Sequence, residues 1–239
     1  MKKILLSAAM FAGILLFNAS LATPLQDAQK LYTKGDFKAA VGIANDIQTA
    51  EGQALAAKAN SIYASTQPEN KQESIYAESE KYANNAIKLN NKYSEGYFEL
   101  ARALGRLSQL RGTLAALAQG LGTKVKSALE SCLDNDRSSA ECMVSYGLWH
   151  AEIVAKGVGW LYGANEGASI NFFEKAIAIE PKIIIHRVEY AHGMLLINRD
   201  KYKAAAKSQL ELAIKLEPRD AADRLDLERA KRDLAELNK

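Results

Sequence analysis

The chain has 239 residues, with 31 Lys and Arg against 28 Asp and Glu and a formal net charge of +3. A charge this small, spread along the sequence, excludes the clustered basic stripe of a nucleic-acid binder, and the length bounds the fold to one domain. With four Pro, two Cys and no run of alternating β-branched residues, neither a sheet nor a disulfide-dense scaffold is expected.

The N-terminus reads as a targeting segment. Lys2 and Lys3 precede an apolar run from Ile4 to Phe17, and Ser20-Leu21-Ala22 places small residues where a signal peptidase cuts. Residues 1–22 are therefore expected to be a signal peptide cleaved after Ala22, which sends the protein to a bacterial periplasm or beyond. The alternative is a retained anchor, although the run is shorter than the ~20 residues that span a bilayer. No Cys follows it to carry a lipid, and no later run is long and apolar enough to span.

From there to the C-terminus the expectation is helical throughout. Ala, Leu, Lys and Glu dominate, and apolar residues recur at three- and four-residue intervals, as in Tyr97, Leu100, Ala101 and Leu104. Punctuation divides the chain into pairs. A helix from about Leu25 to Lys34 turns at Gly35-Asp36 into one from Phe37 to Thr49. Helices from Gly52 to Ser65 and from Gln72 to Leu89 follow, separated by Pro68. The next begins at Ser94, whose hydroxyl can cap it, and runs to Leu110; its partner starts after Thr123 and ends near Asp134. Ser139 to Ala155 pairs with Glu166 to Ile179, which Pro181 stops. Ile183 to Ile197 pairs with Tyr202 to Leu216, which Pro218 stops. The final helix, Ala221 to Leu237, is densely charged, with a stripe of Leu225, Leu227, Ala230, Leu234 and Leu237. It is expected to cap the array with a solvated outer face.

A short ending recurs: Ala86-Ile87-Lys88-Leu89-Asn90-Asn91, then Ala176-Ile177-Ala178-Ile179-Glu180-Pro181, then Ala213-Ile214-Lys215-Leu216-Glu217-Pro218, with a degraded copy at Cys132-Leu133-Asp134-Asn135-Asp136. Spacings of roughly 35–45 residues mark stacked repeats, in which each unit buries its apolar side against the next.

These residues resemble the tetratricopeptide repeat (TPR) family. Gly35-Asp36-Phe37 with Ala40 matches the family's inter-helix turn and small packing residue. Ala140-Glu141 with Tyr146-Gly147, Leu100-Ala101 and Tyr190-Ala191 match first-helix positions, and Pro181 and Pro218 match the terminal Pro. The resemblance covers about Leu25 to Pro218; the second, third and fourth units carry long inserts between their helices. It implies an all-α, right-handed solenoid of about five helix hairpins with a C-terminal capping helix at 221–237, all within one domain, 23–239. The segment from about Ser94 to Pro181 is also similar to the regulator-of-microtubule-dynamics family, and the periplasmic setting is similar to that of the T-components of TRAP transporters.

In such a solenoid the first helices line a concave face, here Tyr97–Arg111, Ala140–Ala155 and Ile184–Leu196. Arg102 and Arg106 lie four apart and share a helix face, so they could clamp a partner's carboxylate. The alternative is a solvated face paired with Glu99 or Glu95. Trp160 and Tyr162, in the glycine-rich insert Lys156–Asn165, could anchor a ligand or partner or could tuck under their loop. The apolar insert Gly112–Gly122 is expected to form a short helix packed over its unit, with a membrane or partner contact as the alternative. Among the histidines, His186 and His192 point about 240° apart on a helix and do not make a zinc site with Glu189; His192 and Glu189 can meet, with His150 joining them from the neighbouring helix. Cys132 and Cys142 either form a disulfide or fill small buried slots.

Neither a phosphate loop nor a nucleophile–base set at recognisable spacing is present, so no enzyme, cofactor or metal is expected. The expected function is a non-catalytic scaffold that binds a protein or peptide segment through Arg102, Arg106, Trp149, Trp160, Tyr162 and His192, with a homo-oligomer open to it through its terminal units. A small-ligand-binding accessory of a transport system, TRAP T-component-like, is the alternative.

Overall fold

The computed structural model describes residues 23–239; the expected signal peptide lies outside them. Five antiparallel pairs stack in chain order. The first is α1 (Pro24–Lys34) with α2 (Phe37–Asn45), and the second α3 (Ala50–Ser65) with α4 (Glu69–Leu89). The third is α5 (Ser94–Ala118) with α6 (Leu121–Asn135). In the fourth, α7 (Ala140–Ala155) pairs with α9 (Glu166–Ile179), with the single turn α8 (Gly159–Tyr162) between them. The fifth pairs α10 (Ile184–Ile197) with α11 (Arg199–Ala213), and α12 (Ala221–Leu237) follows. Among the described residues there is no strand and no helix long and apolar enough to cross a membrane.

Each first helix packs on its own partner and on the first helix of the next unit: α3 on α4 and α5, α7 on α9 and α10. The core is accordingly a row of clusters rather than one centre. One joins Tyr32, Phe37 and the alanines of α3; the next joins Leu104, Leu107, Leu129 and Trp149; the last joins Phe173, Val188, Met194 and Leu210. This is the stacking that a thin, one-sided hairpin requires.

Local chemistry sets the boundaries. Thr23 and Gln26 form a capping box at α1, and Gly35 closes it at φ 98°, a left-handed conformation that glycine adopts without strain. Asp36, Thr49, Ser139, Asn165, Asn198 and Asp220 each cap the helix that follows with a side-chain oxygen.

Several expected edges move for related reasons. Gln53 donates its amide to the carbonyls of Asn45 (2.7 Å) and Ile47 (3.3 Å), so α2 ends at Asn45 rather than Thr49. Thr49 instead caps α3. Ser94 does not cap α5, which starts after Tyr93 without a side-chain cap, and α6 begins at Leu121, leaving Thr123 inside it. The cap at Asn198 starts α11 three residues before Tyr202. The expected long inserts shrink. The second pair is joined by residues 66–68 alone. In the third, the chain breaks helical geometry at Gly112 (φ 77°), continues as helix to Ala118, burying Ala116, and turns at Gly120 (φ 62°) into α6.

Cys132, in the last turn of α6, is bonded to Cys142, in the first turn of α7, with Cα atoms 6.4 Å apart. The bridge packs against Phe98 of α5. Closing a loop this short removes chain entropy from the unfolded state worth about 2–3 kcal/mol. Reduction, or Cys132→Ser with Cys142→Ser, should lower the unfolding free energy from urea denaturation by that amount, with a steeper slope as the unfolded chain opens; an unmoved free energy would deny the bridge a stabilising role.

Candidate functional site

The concave wall carries a run of charge. On α5, Glu95, Glu99, Arg102 and Arg106 are spaced by four, three and four, which keeps them on one face. The Arg102 guanidinium lies over the Phe98 ring, 4.6 Å from its centre, so the disulfide cluster beneath Phe98 sets its position. Its Nε is 3.3 Å from Glu99, whose carboxylate is fully buried and accepts no hydrogen bond. Lys58 of α3 reaches Glu95 at 3.4 Å. Burial lifts the Glu99 carboxyl to about 7, against the pull of Arg102. Burial alone would lower Lys58, but Glu95 and Glu99 outweigh it and its pKa rises.

The opposite side of this wall is supplied by α10 and α12. Glu189 of α10, its side chain only 8% exposed, lies between two guanidinium groups: Arg229 of α12 at 2.7 Å and Arg106 of α5 at 3.6 Å. Burial would raise its pKa, but Arg229 and then Arg106 reverse the effect and hold it at about 2. His192 sits one turn on, where burial depresses its pKa against the field of Glu189. Asp226 of α12 is lifted to about 7 by burial and by the neighbouring Glu189, with Arg229 and Arg102 opposing.

The last helix thus does more than cover the final unit. Leu227, Ala230, Leu234 and Leu237 pack on the core of the last two pairs. Ala222, Asp226, Arg229 and Asp233, spaced by four, three and four, form a second face that carries the helix's inward charges. At its N-terminal end Ala221 and Ala222 join the core of the first pair; a Cβ added to Gly35 would come 2.9 Å from that of Ala221. The helix therefore runs from α10 and α11 to α1 along the concave side. Arg229 of this helix thus reaches the charges of the expected concave face.

Arg102, Arg106 and His192 are brought together in this cluster, with Arg102 paired to Glu99 and Arg106 to Glu189. The other three candidates are not. Trp149 is buried toward α6, donating its indole N–H to the Gly122 carbonyl at 2.9 Å. Trp160 stands 85% exposed on α8, so it does not tuck under its loop. Tyr162 beside it is half-buried, and its carbonyl accepts from Lys126 at 3.3 Å. His150 does not join His192: it stacks on Tyr146 and Phe172 and accepts from the Asn165 N–H, and burial lowers it to about 4. Among the described residues no group of His, Cys, Asp and Glu converges as a metal site. Sequence reasoning placed Glu189 beside His192 but did not foresee its two guanidinium partners, and it missed Asp226 and Arg229 as part of this cluster. The available signal was the spacing of Asp226, Arg229 and Asp233, one helix face parallel to the apolar stripe.

No family model matches the sequence, and no curated protein matches it. Solved structures do. TTC0263, a thermophilic TPR protein from Thermus thermophilus, superposes with a TM-score of 0.63 at 19% identity, covering 87% of this chain and 97% of that one. YrrB, a TPR protein described as having an unusual peptide-binding site, superposes more loosely, with a TM-score of 0.43 at 13% identity over 87% of this chain and 90% of that one. With its stacked hairpins and this first superposition, the chain has the fold of a TPR solenoid.

Proposed function

We propose that the protein is a non-catalytic scaffold of the bacterial periplasm that binds a protein or peptide segment on the concave wall of α3, α5, α7 and α10. One observation carries this reading: Glu189 on this wall already holds Arg229 of a helix, α12, that reaches from α10 and α11 to the first pair, and so the wall offers chemistry that an elongated segment can use. The wall is preorganised. The disulfide cluster and Phe98 fix Arg102, and Arg102 and Arg106 are held by carboxylates on the same wall, so binding orders little of the receptor. The N-terminal pattern of Lys2, Lys3 and the apolar run to Phe17 supports export, as does a disulfide, which persists in oxidising compartments.

The test is cross-linking in periplasmic extract with the full chain, compared with Arg102→Glu plus Arg106→Glu. Loss of a specific cross-linked partner is expected. Recovery equal to the unaltered chain would remove the concave wall from the reading. Intact mass of the exported protein should correspond to a chain starting at Thr23.

A further inference from the structure

We infer that the concave wall is a receptor for a partner's amphipathic helix bearing the residue pattern of α12, and that α12 is its internal competitor. This rests on the scaffold reading and names the partner class for the same site.

The present occupant states the chemistry. A helix that only caps a solenoid turns its charges to solvent. Here α12 turns Asp226 and Arg229 inward, where Arg229 meets the buried Glu189 at 2.7 Å, while Leu225 is left 40% exposed. Its hold on α1 is made by two alanines, Ala221 and Ala222, the smallest apolar anchors available. Its larger apolar contact, through Leu227, Ala230, Leu234 and Leu237, is with the last two pairs.

The contacts that select a helix for this wall are therefore few. Two adjacent small residues reach the first pair. Seven residues after the second comes an Arg against Glu189, flanked by an aliphatic stripe. A buried carboxylate between two guanidinium groups rejects any helix that leaves it short of its cation, which makes this contact the discriminating one. A partner helix with the same pattern satisfies every group that α12 satisfies. The linker at 214–220 keeps α12 at high local concentration, so the receptor is closed by default and free helix binds only to the open fraction.

The experiment uses a fluorescein-labelled peptide of residues 219–238 as probe, with fluorescence anisotropy against full chains. Arg229→Glu in the chain sets like charges against Glu189 and releases the resident helix. The peptide, which keeps its Arg, should then bind about tenfold tighter or more than to the unaltered chain. The double variant Glu189→Arg with Arg229→Glu restores the internal pair, so it should exclude the peptide again. Should Arg229→Glu lose its cooperative thermal transition, Arg229→Gln takes its place and must show the same order of affinities.

Equal affinity for the unaltered and released chains overturns the inference, as does equal affinity for the released and doubly reversed chains. So does a dimer of the released chain, seen by light scattering, that takes up no peptide, since the occupant is then a second copy's α12. If the peptide fails while Arg102→Glu plus Arg106→Glu still loses the cross-linked partner, the competition by α12 falls and the scaffold reading stands.

Discussion

Phe173→Ala should lower the stability of the protein by about 3–5 kcal/mol, one of the two largest single-residue effects in the chain. Phe173 of α9 is fully buried and stacks on Tyr190 with ring centres 4.9 Å apart. Two glycines on successive first helices make room for it. A Cβ on Gly147 would lie 3.1 Å from the ring, and a Cβ on Gly193 would lie 2.8 Å from it and 3.4 Å from Ala151. Ser169, one turn before Phe173, donates to the Gly147 carbonyl at 2.7 Å and fixes the approach of α9 to α7. One ring thus ties the fourth pair to the fifth, and its loss opens a void that three rigid helices cannot collapse around. For a chain of this size, each kcal/mol moves the thermal midpoint by roughly 2–4 °C.

The same geometry predicts a coupling. Gly193→Ala alone overpacks the site and should cost about 1–3 kcal/mol. In the Phe173→Ala background the added methyl enters the void and should be neutral or stabilising. Urea denaturation of the four chains measures the interaction directly. Strict additivity would show that the glycine is there for another reason.

Much of the architecture was legible because repeat folds write their rules locally. Gly35-Asp36 announces a turn, Pro181 and Pro218 announce ends, and the Ala-Ile endings announce the period. Gly147 could be read as a packing glycine because a helix interior otherwise disfavours it. The helix edges that moved did so through single hydrogen bonds, such as Gln53 on the α2 carbonyls, made by residues outside the helix they end. The fate of Trp160 depends on the path of a loop, and no spacing encodes it.

The concave cluster was legible only in part. Arg102 and Arg106 showed their shared face, and Glu99 stood as a candidate partner for Arg102. Glu189 as the partner of Arg106 lies 83 positions away in another unit, where only the curvature of the stack brings it near. The densely charged α12 reads as solvated because charged residues are seldom buried unless paired. Its long-range partner, Glu189 of α10 against Arg229, comes from another unit, and a single chain read in order cannot see it.

Those pairs set the second large effect. Glu189→Gln should cost about 3–5 kcal/mol at neutral pH, because it strips the buried carboxylate from Arg229, 25% exposed, and from the more exposed Arg106. The acid side follows by linkage. The Glu189 carboxyl is held at about 2 in the folded protein, against an ordinary 4.5. Its contribution is complete above pH ~4.5 and is lost as pH falls toward 2, so the unaltered chain and Glu189→Gln should converge in stability over that interval.

Glu99 and Asp226 run in the opposite sense. Burial lifts both to about 7, from 4.5 and 3.8. The uncharged carboxyl is the form the fold prefers, so their contribution is whole below their unfolded values and declines as pH rises through 7. Stability should therefore peak near pH ~4.5, fall from there to pH ~7 and level off above it, and Glu99→Gln, which stays uncharged while keeping an oxygen for Arg102, should flatten that decline. Thermal midpoints from pH 3 to 9 for the three chains decide the matter. A decline between pH ~4.5 and ~7 that Glu99→Gln leaves untouched would mean that Glu99 ionises freely, and with it that its carboxyl is reached by water.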